Sequence, residues 1–463
     1  MGDIASFRSF SKSAVLHKTY KTPPLAVKAQ GIYYDLEDGS RITDAIGGAA
    51  VVCIGNGHPA VVEAIREQAG TLNFTFHTQL TNAPTEMLAR NIIDRSHGAF
   101  AHIAFASGGS EAVEGALKTA RQYFWELGQT QRVNYIGRKS SYHGASLGTL
   151  NVAWNAARRA PYDDILDSKR FHHVSPAYAR RYQREGESEP QFVERLRAEL
   201  EAKFVELGPD TVIAFVAETV GGASSGVVIP PKGYFAAVKS VCDKYGALLI
   251  LDEVMCGMGR MGTLHAWERV ADGVSPDIQA VAKGLGGGYT PIGGVLIAPR
   301  VARVLSEGSG VWQHGYTYQA HPLCSAASLA VQRVIVAEKL LENCAAQGDL
   351  LGALLREGLA ADGALARDYV AEIRGAGMFW AVEFDVSSLD LGGKRFAFVV
   401  EERCFQAGLM IMGMVGGANV EGTQGDHIMF APAYNITADE VRAIVDVVVS
   451  CVDEVVREGL AKK

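Results

Sequence analysis

With 463 residues, 48% of them hydrophobic and 21% charged, the chain has the composition of an ordinary globular protein with core enough for two or three domains, and nothing in it points to disorder. Its 44 basic side chains against 51 acidic ones leave a net charge of -7, which supplies no broad positive field for nucleic acid. No apolar run reaches membrane-spanning length, and seven scattered cysteines with no C-x-x-C pair argue against a disulfide framework or zinc module and for a reducing, cytoplasmic setting.

At the N-terminus, Met1-Gly2-Asp3-Ile4-Ala5-Ser6 matches the loose myristoylation pattern, but the second signal that stable anchoring needs is absent and the match reads as chance. Residues 31–44 set two short β-rich runs around an acidic Asp38-Gly39 turn, which is hairpin chemistry. From about residue 61 to 330, short apolar strands alternate with amphipathic helices, the signature of β-α-β units around a mainly parallel sheet. The clearest strands are 102–106, 132–136, 212–217, 247–251 and 292–297. The charged stretch 179–190 reads as a solvated loop, followed by an amphipathic surface helix over 192–207. Beyond residue 330 come two long helical stretches, a β-rich piece over 370–384 and a final helix. That helix opens on the capping box Thr437-Ala438-Asp439-Glu440 and carries Val441, Ile444, Val445, Val448, Val452 and Val455 on one face, so it packs against a second, smaller domain. The chain ends Ala461-Lys462-Lys463 without a prenylation box.

A lysine and four further features carry chemistry. The run Ala280-Val281-Ala282-Lys283 passes straight into Gly284-Leu285-Gly286-Gly287-Gly288. An ammonium drawn out of water resists being charged, so a buried lysine becomes a nucleophile or a Schiff-base partner for a carbonyl; the plainer reading is a lysine reaching solvent along a flexible loop. Strand 102–106 runs into Ser107-Gly108-Gly109-Ser110 and then a helix with Val113, Ala116, Leu117, Ala120 and Phe124 on one face. Free N–H groups at such a helix start cradle phosphate, unless a serine cap with Glu111 and Glu114 satisfies them. Strand 247–251 ends in Asp252-Glu253, where α/β sheets hold their ligands. A protonated ring nitrogen would satisfy Asp252, as would the next turn or Arg260. Ala217-Glu218 repeats the arrangement, and Ser141-Tyr142-His143-Gly144 offers a ring that either stacks on a planar cofactor or lies on the surface.

In chain order, Gly55-Asn56-Gly57-His58-Pro59, Ser107-Gly108-Gly109-Ser110-Glu111-Ala112-Val113-Glu114, Tyr142-His143-Gly144, Leu251-Asp252-Glu253-Val254 with Gly257-Met258-Gly259-Arg260, Ala282-Lys283-Gly284 and His314-Gly315-Tyr316-Thr317-Tyr318 together resemble the class III, ω-type aminotransferases over nearly the whole chain. The resemblance implies the pyridoxal-phosphate fold type I: a large, mainly parallel-sheet α/β domain over 61–330 and a smaller α+β domain built from 1–60 and 331–463. It implies pyridoxal 5'-phosphate as cofactor, with Lys283 as its Schiff-base partner and then as the proton-transferring base. Asp252 would face the pyridine nitrogen, Tyr142 would stack on the ring with Val254 behind it, and Gly109 and Ser110 would hold the phosphate. His143 and Glu218 match positions around the cofactor, as does Glu253. Thr317 resembles a threonine that reaches the neighbouring subunit's phosphate, which implies a homodimer with shared sites.

Family members that bind α-carboxylates often carry an arginine three residues before the proline of an Ala-Pro-Pro segment or shortly after a Leu-Met pair; here those places read Met429-Phe430-Ala431-Pro432 and Leu409-Met410-Ile411-Met412-Gly413. Losing that guanidinium fork weakens the case for α-amino acid substrates. Arg374 is either a substitute or a brace. Met410, Met412, Met414 and Met429 form a pliable apolar wall or pack a core, and Tyr434-Asn435 put a phenol and an amide where apolar residues are usual. The expected reaction carries an amino group from a primary amine with a hydrophobic or hydroxylated body, rather than a dicarboxylate, to a keto acid, pyruvate by family analogy, in ping-pong order. The same lysine serves racemisation, epimerisation or an aminomutase shift, and a non-catalytic ligand-binding protein is the reading from another class. A metallohydrolase is disfavoured, since there is no H-E-x-x-H and His172-His173 has no evident carboxylate partner.

Overall fold

Residues 13–18 and 22–461 are described by the computed structural model, so the Met1 to Ser6 pattern and Lys462-Lys463 lie outside the described residues. The first sheet begins with β1 (Ala26–Gln30), β2 (Tyr33–Leu36) and β3 (Arg41–Asp44), successively antiparallel. The expected turn joins β2 to β3: Gly39 takes φ +86, and the Ser40 N–H donates to Asp38 Oδ1 at 2.9 Å.

The second sheet holds β4 (His102–Ala106), β5 (Asn134–Arg138), β6 (Phe171–Val174), β7 (Val212–Glu218), β8 (Leu248–Asp252), β9 (Ile278–Val281) and β10 (Gly293–Ile297) in the spatial order β4-β10-β9-β8-β7-β5-β6. All pairs from β9 to β6 are parallel, while β10 runs antiparallel to both its neighbours, so β4 points the same way as β9. Helices cover both faces, and β7 and β8 are buried along their whole length, which is why they read as unbroken apolar runs. Two features differ from expectation. Strand β5 starts at Asn134 because Arg132 turns inward, donating to the carbonyls of Val212 and Tyr245 and lying over the Phe124 ring. Strand β6 carries the polar pair His172-His173 at the sheet edge, where one side needs no apolar partner.

The third sheet, β11 (Val370–Ala376), β12 (Phe379–Phe384), β14 (Met412–Val415) and β15 (Asp426–Phe430), is antiparallel in the order β11-β12-β15-β14, while the two-residue β13 (Leu409–Met410) leaves it to pair with β3. Helices Pro322–Ala337, Leu340–Ala360 and Ala438–Ala461 pack beside it. At the last of these the Thr437 N–H donates to Glu440 Oε2 at 2.8 Å, the Glu440 N–H returns to Thr437 Oγ1 at 3.3 Å, and all six expected apolar residues are buried. Among the described residues, no helix is long and apolar enough to cross a membrane.

Residues 183–188 form the expected, mostly exposed loop, but the start of the stretch 179–190 differs. Its first turn is helical (Ala179–Tyr182), and Arg181 reaches the buried Glu383 of β12 through Nε at 2.8 Å. Arg374 of β11 donates to the same carboxylate at 2.7 Å, and the Tyr178 hydroxyl at 2.5 Å. Burial alone would raise the Glu383 pKa, but Arg374, Tyr178 and Arg181 outweigh it and hold the carboxyl below its ordinary value. Arg181 and Tyr178, from the segment after β6, thereby join the second sheet to a carboxylate that Arg374 holds within the third. Arg374→Met takes away one of the two guanidiniums on Glu383 and should cost about 3 kcal/mol, the range for breaking a buried pair. The shift in urea-unfolding midpoint measures it, and Arg374→Met with Glu383→Met should recover part of the loss.

Candidate active site

Parallel pairing brings the chemistry to one edge. In register, Glu218 lies opposite Asp252 and Asp252 opposite Ala280, so the ends of β7, β8 and β9 deliver two carboxylates and, three residues past Ala280, Lys283. The loops after β4 and β5, with Ser107 to Ser110 and Tyr142 to Gly144, leave the sheet at that same edge.

Asp252 is buried. Its Oδ2 lies 2.8 Å from His143 Nδ1, and its Oδ1 accepts the Val254 N–H at 2.9 Å, so it caps the next turn and faces an imidazole at once. An acceptor-only carboxylate assigns the His143 Nδ1 proton to this contact. The buried His143 Nε2 has no partner among the described residues. Arg260 is not the counter-ion of Asp252: it is fully buried, donates to the carbonyls of Met378 at 3.1 Å and Pro432 at 2.5 Å, and stacks over Tyr434. The Tyr142 N–H donates to Glu218 Oε2 at 3.1 Å and the Gly222 N–H to Oε1 at 2.8 Å, while burial raises the Glu218 pKa. The half-buried Tyr142 ring carries the Arg158 guanidinium 4.6 Å from its centroid.

Helix Gly109–Glu126 starts with N–H groups at Gly109 and Ser110 that meet no acceptor among the described residues. The acids take neighbouring donors: Glu111 accepts the Ser107 N–H at 2.7 Å, and Glu114 accepts those of Ser146 Oγ and Gly148. Ser110 Oγ accepts the Ala145 N–H at 3.0 Å. A Cβ on Gly109 would stand 2.7 Å from Val254 Cγ1, so glycine is needed where the helix start meets Val254, with Ala282 in ordinary contact at 3.6 Å.

Lys283 opens a short 3-10 turn (Lys283–Leu285) with φ +39, a strained value for a residue with a side chain. Its Nζ finds no hydrogen-bond acceptor among the described residues. Burial drives its pKa from the ordinary 10.5 down to about 8; Asp252 pulls it back up, and the Arg260 charge pushes it further down.

The packing places the remaining candidates outside the immediate surroundings of Lys283 and Asp252, or decides between readings the sequence leaves open. The glycines after Lys283 serve packing against their own chain: a Cβ on Gly284 would lie 3.1 Å from Tyr434 Oη and one on Gly286 2.7 Å from Ile292 Cγ2. Tyr434 is buried with its hydroxyl on the Met258 carbonyl, and the Asn435 amide donates to the Ile54 carbonyl. Glu253 turns away from Asp252, accepting from the Ala266 and Trp267 N–H groups and Gln279, and burial lifts its pKa to about 7. Arg374 is a brace, its remaining donors held by the carbonyls of Ser225 and Gly226. Met410, Met412, Met414 and Met429 pack with Val220, Met255 and Phe379. Thr317 sits exposed, joining none of the others within this chain, on a loop that leans on the helix start through the Tyr316 hydroxyl and the Glu111 carbonyl. Sequence reasoning missed Arg158 beside Tyr142 and the turn Gly222 to Gly226 beneath Glu218; only the adjacent Arg158-Arg159 pair hinted at the first.

The donor set fits a phosphorylated, cationic aromatic aldehyde. Free N–H groups at a helix start suit a phosphate, a buried carboxylate suits a protonated ring nitrogen, and an amine with a depressed pKa suits a carbonyl carbon. Such a set on a mainly parallel sheet defines a pyridoxal-phosphate enzyme of fold type I. The architecture matches that of the ω-transaminase from Pseudomonas jessenii solved in complex with PMP, with a TM-score of 0.87 and 27% identity over 97% of this chain and 98% of that one. The family model for class III aminotransferases matches residues 15–452, and the chain belongs to that family, whose members depend on pyridoxal phosphate. It is 40% identical to an uncharacterized aminotransferase of Schizosaccharomyces pombe over 92% of this chain and 91% of that one. It is 30% identical to the putrescine–pyruvate aminotransferase of Pseudomonas aeruginosa over 94% and 92% of the two chains.

Two outcomes follow from this packing. Gly109→Ala overpacks the contact with Val254 and should cost about 1–3 kcal/mol in chemical unfolding, with Val254→Ala relieving it in the double variant. Between about pH 8 and 10.5 the unfolded chain keeps a proton that folded Lys283 has lost, so stability from this group rises with pH there. The cofactor-free protein should therefore be less stable than Lys283→Met at neutral pH, with the gap between their unfolding midpoints narrowing across that window.

Proposed function

We propose that this class III aminotransferase takes the amino group from a primary amine or a non-α-amino acid and delivers it, in a second half-reaction, to a small keto acid, pyruvate foremost. The observation that carries this reading is the Lys283 amine: partly buried, without an acceptor among the described residues, at the strand end beside Asp252, its pKa lowered to about 8. An amine that loses its proton near physiological pH both attacks a carbonyl carbon and relays protons. When bound, pyridoxal phosphate supplies that carbonyl carbon and an electron-withdrawing ring that acidifies the C–H bond of an amine attached to it.

The chain's own residues do the rest. Asp252, oriented by His143, holds a negative charge for the ring nitrogen. The Gly109 and Ser110 N–H groups hold the phosphate. Tyr142, with its main chain fixed on Glu218, and Val254, pressed on Gly109, would hold the ring. Lys283 Nζ would take up the proton that the donor's carbon loses and give it back. The absence of arginine at residue 429 and over 411–413 supports a donor without an α-carboxylate, and a relative named for putrescine and pyruvate supports the same pairing.

The reading extends to a homodimer whose second copy brings Thr317 to the phosphate. Exposed Phe74 and Tyr318 lie ring to ring at 5.9 Å beside Thr317, with Phe76 and Leu80 also exposed, an apolar surface that a second copy would cover. The pairing of β13 at 409–410 with β3 at 41–44, which ties the N-terminal segment to the C-terminal one, supports a division into a large domain over 61–330 and a smaller one built from both ends.

Loaded with pyridoxal phosphate, the wild type should carry a visible absorbance band that borohydride bleaches, fixing the cofactor on the peptide that contains Lys283; Lys283→Ala should show neither. An amine donor alone should remove the band and release one carbonyl product per site, whereas a racemase leaves the band in place. Asp252→Asn should bind the cofactor yet lose at least about 100-fold in kcat, because an amide cannot stabilise the ring cation. Strong activity with glutamate and none with carboxylate-free amines would overturn the donor assignment.

A further inference from the structure

A keto acid brings a carboxylate into the cleft, and the chain places no guanidinium at residue 429 or over 411–413. The arginines packed around the site are nearly all held by their own chain. Arg138 donates to the Glu218 carbonyl at 2.5 Å. Arg159 donates to the carbonyls of Leu150 at 3.0 Å and Ala153 at 2.9 Å, and its Nε lies 3.3 Å from Asp163. Arg260 and Arg374 end on carbonyls and, for Arg374, on Glu383 and Glu372. Arg158 differs. Its guanidinium lies over the Tyr142 ring, its side of the chain is exposed, and nothing among the described residues accepts a hydrogen bond from its side chain.

That seat is built into the backbone. The Ser141 N–H donates to the Trp154 carbonyl at 3.1 Å, and the Trp154 N–H returns to Ser141 Oγ at 3.1 Å, so the segment carrying Arg158 is laced to the residue before Tyr142. The turn Ala156–Arg159 is then capped by Asn155, whose Oδ1 accepts the Arg158 N–H at 3.2 Å. The neighbouring Arg159 rivets the turn through its carbonyl contacts, which leaves Arg158 on the other side, above the aromatic ring. A guanidinium held by its flat face keeps its edge N–H groups available, and those match a carboxylate two to two.

We propose that Arg158 is the carboxylate receptor of the site, binding the carboxylate of a small 2-keto monocarboxylic acid and of the amino acid made from it. The proposal rests on the reading that Tyr142 lines the cleft. It makes Arg158 a specificity-determining residue for the second half-reaction, with Tyr142 as the platform that orients the fork.

The probe is oxamate, a non-reacting analogue of pyruvate, titrated calorimetrically into protein loaded with pyridoxamine 5'-phosphate. R158A should weaken oxamate by at least about tenfold, and R158K, which keeps charge without the fork, should fall between the two. In steady-state kinetics the KM for pyruvate should rise by a similar factor relative to the KM for a carboxylate-free amine. An unchanged oxamate affinity in R158A, or KM values for acceptor and amine that shift in parallel, would overturn the assignment. A wild type that shows no half-reaction with any amine would instead overturn the transaminase reading, while the oxamate titration still decides on Arg158.

Discussion

The Asp252 carboxylate ends a strand buried along its whole length, flanked by two strands that are equally closed to water. A charge in such a place is costly unless groups of opposite polarity face it. Here the His143 imidazole and the Val254 N–H face it from the protein, and the Lys283 amine stands at the end of the adjoining strand. Much of the cleft follows from satisfying this one group. The loop after β5 must return far enough to bring His143 across, which sets Tyr142 on Glu218. The turn after β8 must fold back through Val254, which forces a glycine at the start of the facing helix.

Lys283 is poised by the opposite logic, since burial outweighs the compensation that Asp252 and Glu218 offer. Its turn carries backbone strain at φ +39, is packed from below by Tyr434 and Met258 against Gly284, and lies within the field of the buried Arg260. Protons are held less firmly there than in water, which is what an amine needs in order to attack and to relay. The strain persists because the surroundings over-determine the turn: Lys283 accepts from the Gly286 and Gly287 N–H groups, and the Gly284 carbonyl accepts from Gln332.

Two buried arginines hold the sheets in the relation this cleft requires. Arg260 gathers the carbonyls of Met378 and Pro432 around the turn that follows β8, and Arg374 gathers Ser225, Gly226 and Glu383. Because Gly222, in the same turn as Ser225 and Gly226, donates to Glu218, the Arg374 brace is continuous with the floor of the site. A guanidinium suits this work because it stays charged and presents five donors in one plane, so a single side chain fixes several distant backbone segments.

The amino-acid sequence by itself determined the strand ends and what stands on them. Asp252, Glu218 and Lys283 each close an apolar run, and the helix from Gly109 and the capping box at Thr437 are written in local spacing. Those features are legible because burial of a strand or a helix face imposes a period on its own residues, and so is the order of motifs that marks the family. Tertiary structure alone decided which of those groups meet. Arg260 stands eight residues from Asp252 yet ends on carbonyls of Met378 and Pro432, Arg374 proves to be a brace, and Tyr434 supports the lysine turn from beneath. Arg158 rises over Tyr142 only because the segment before it is laced to Ser141. The partner of a guanidinium or a phenol is set by chain segments brought together in three dimensions, often more than a hundred residues apart, and no local period records that meeting.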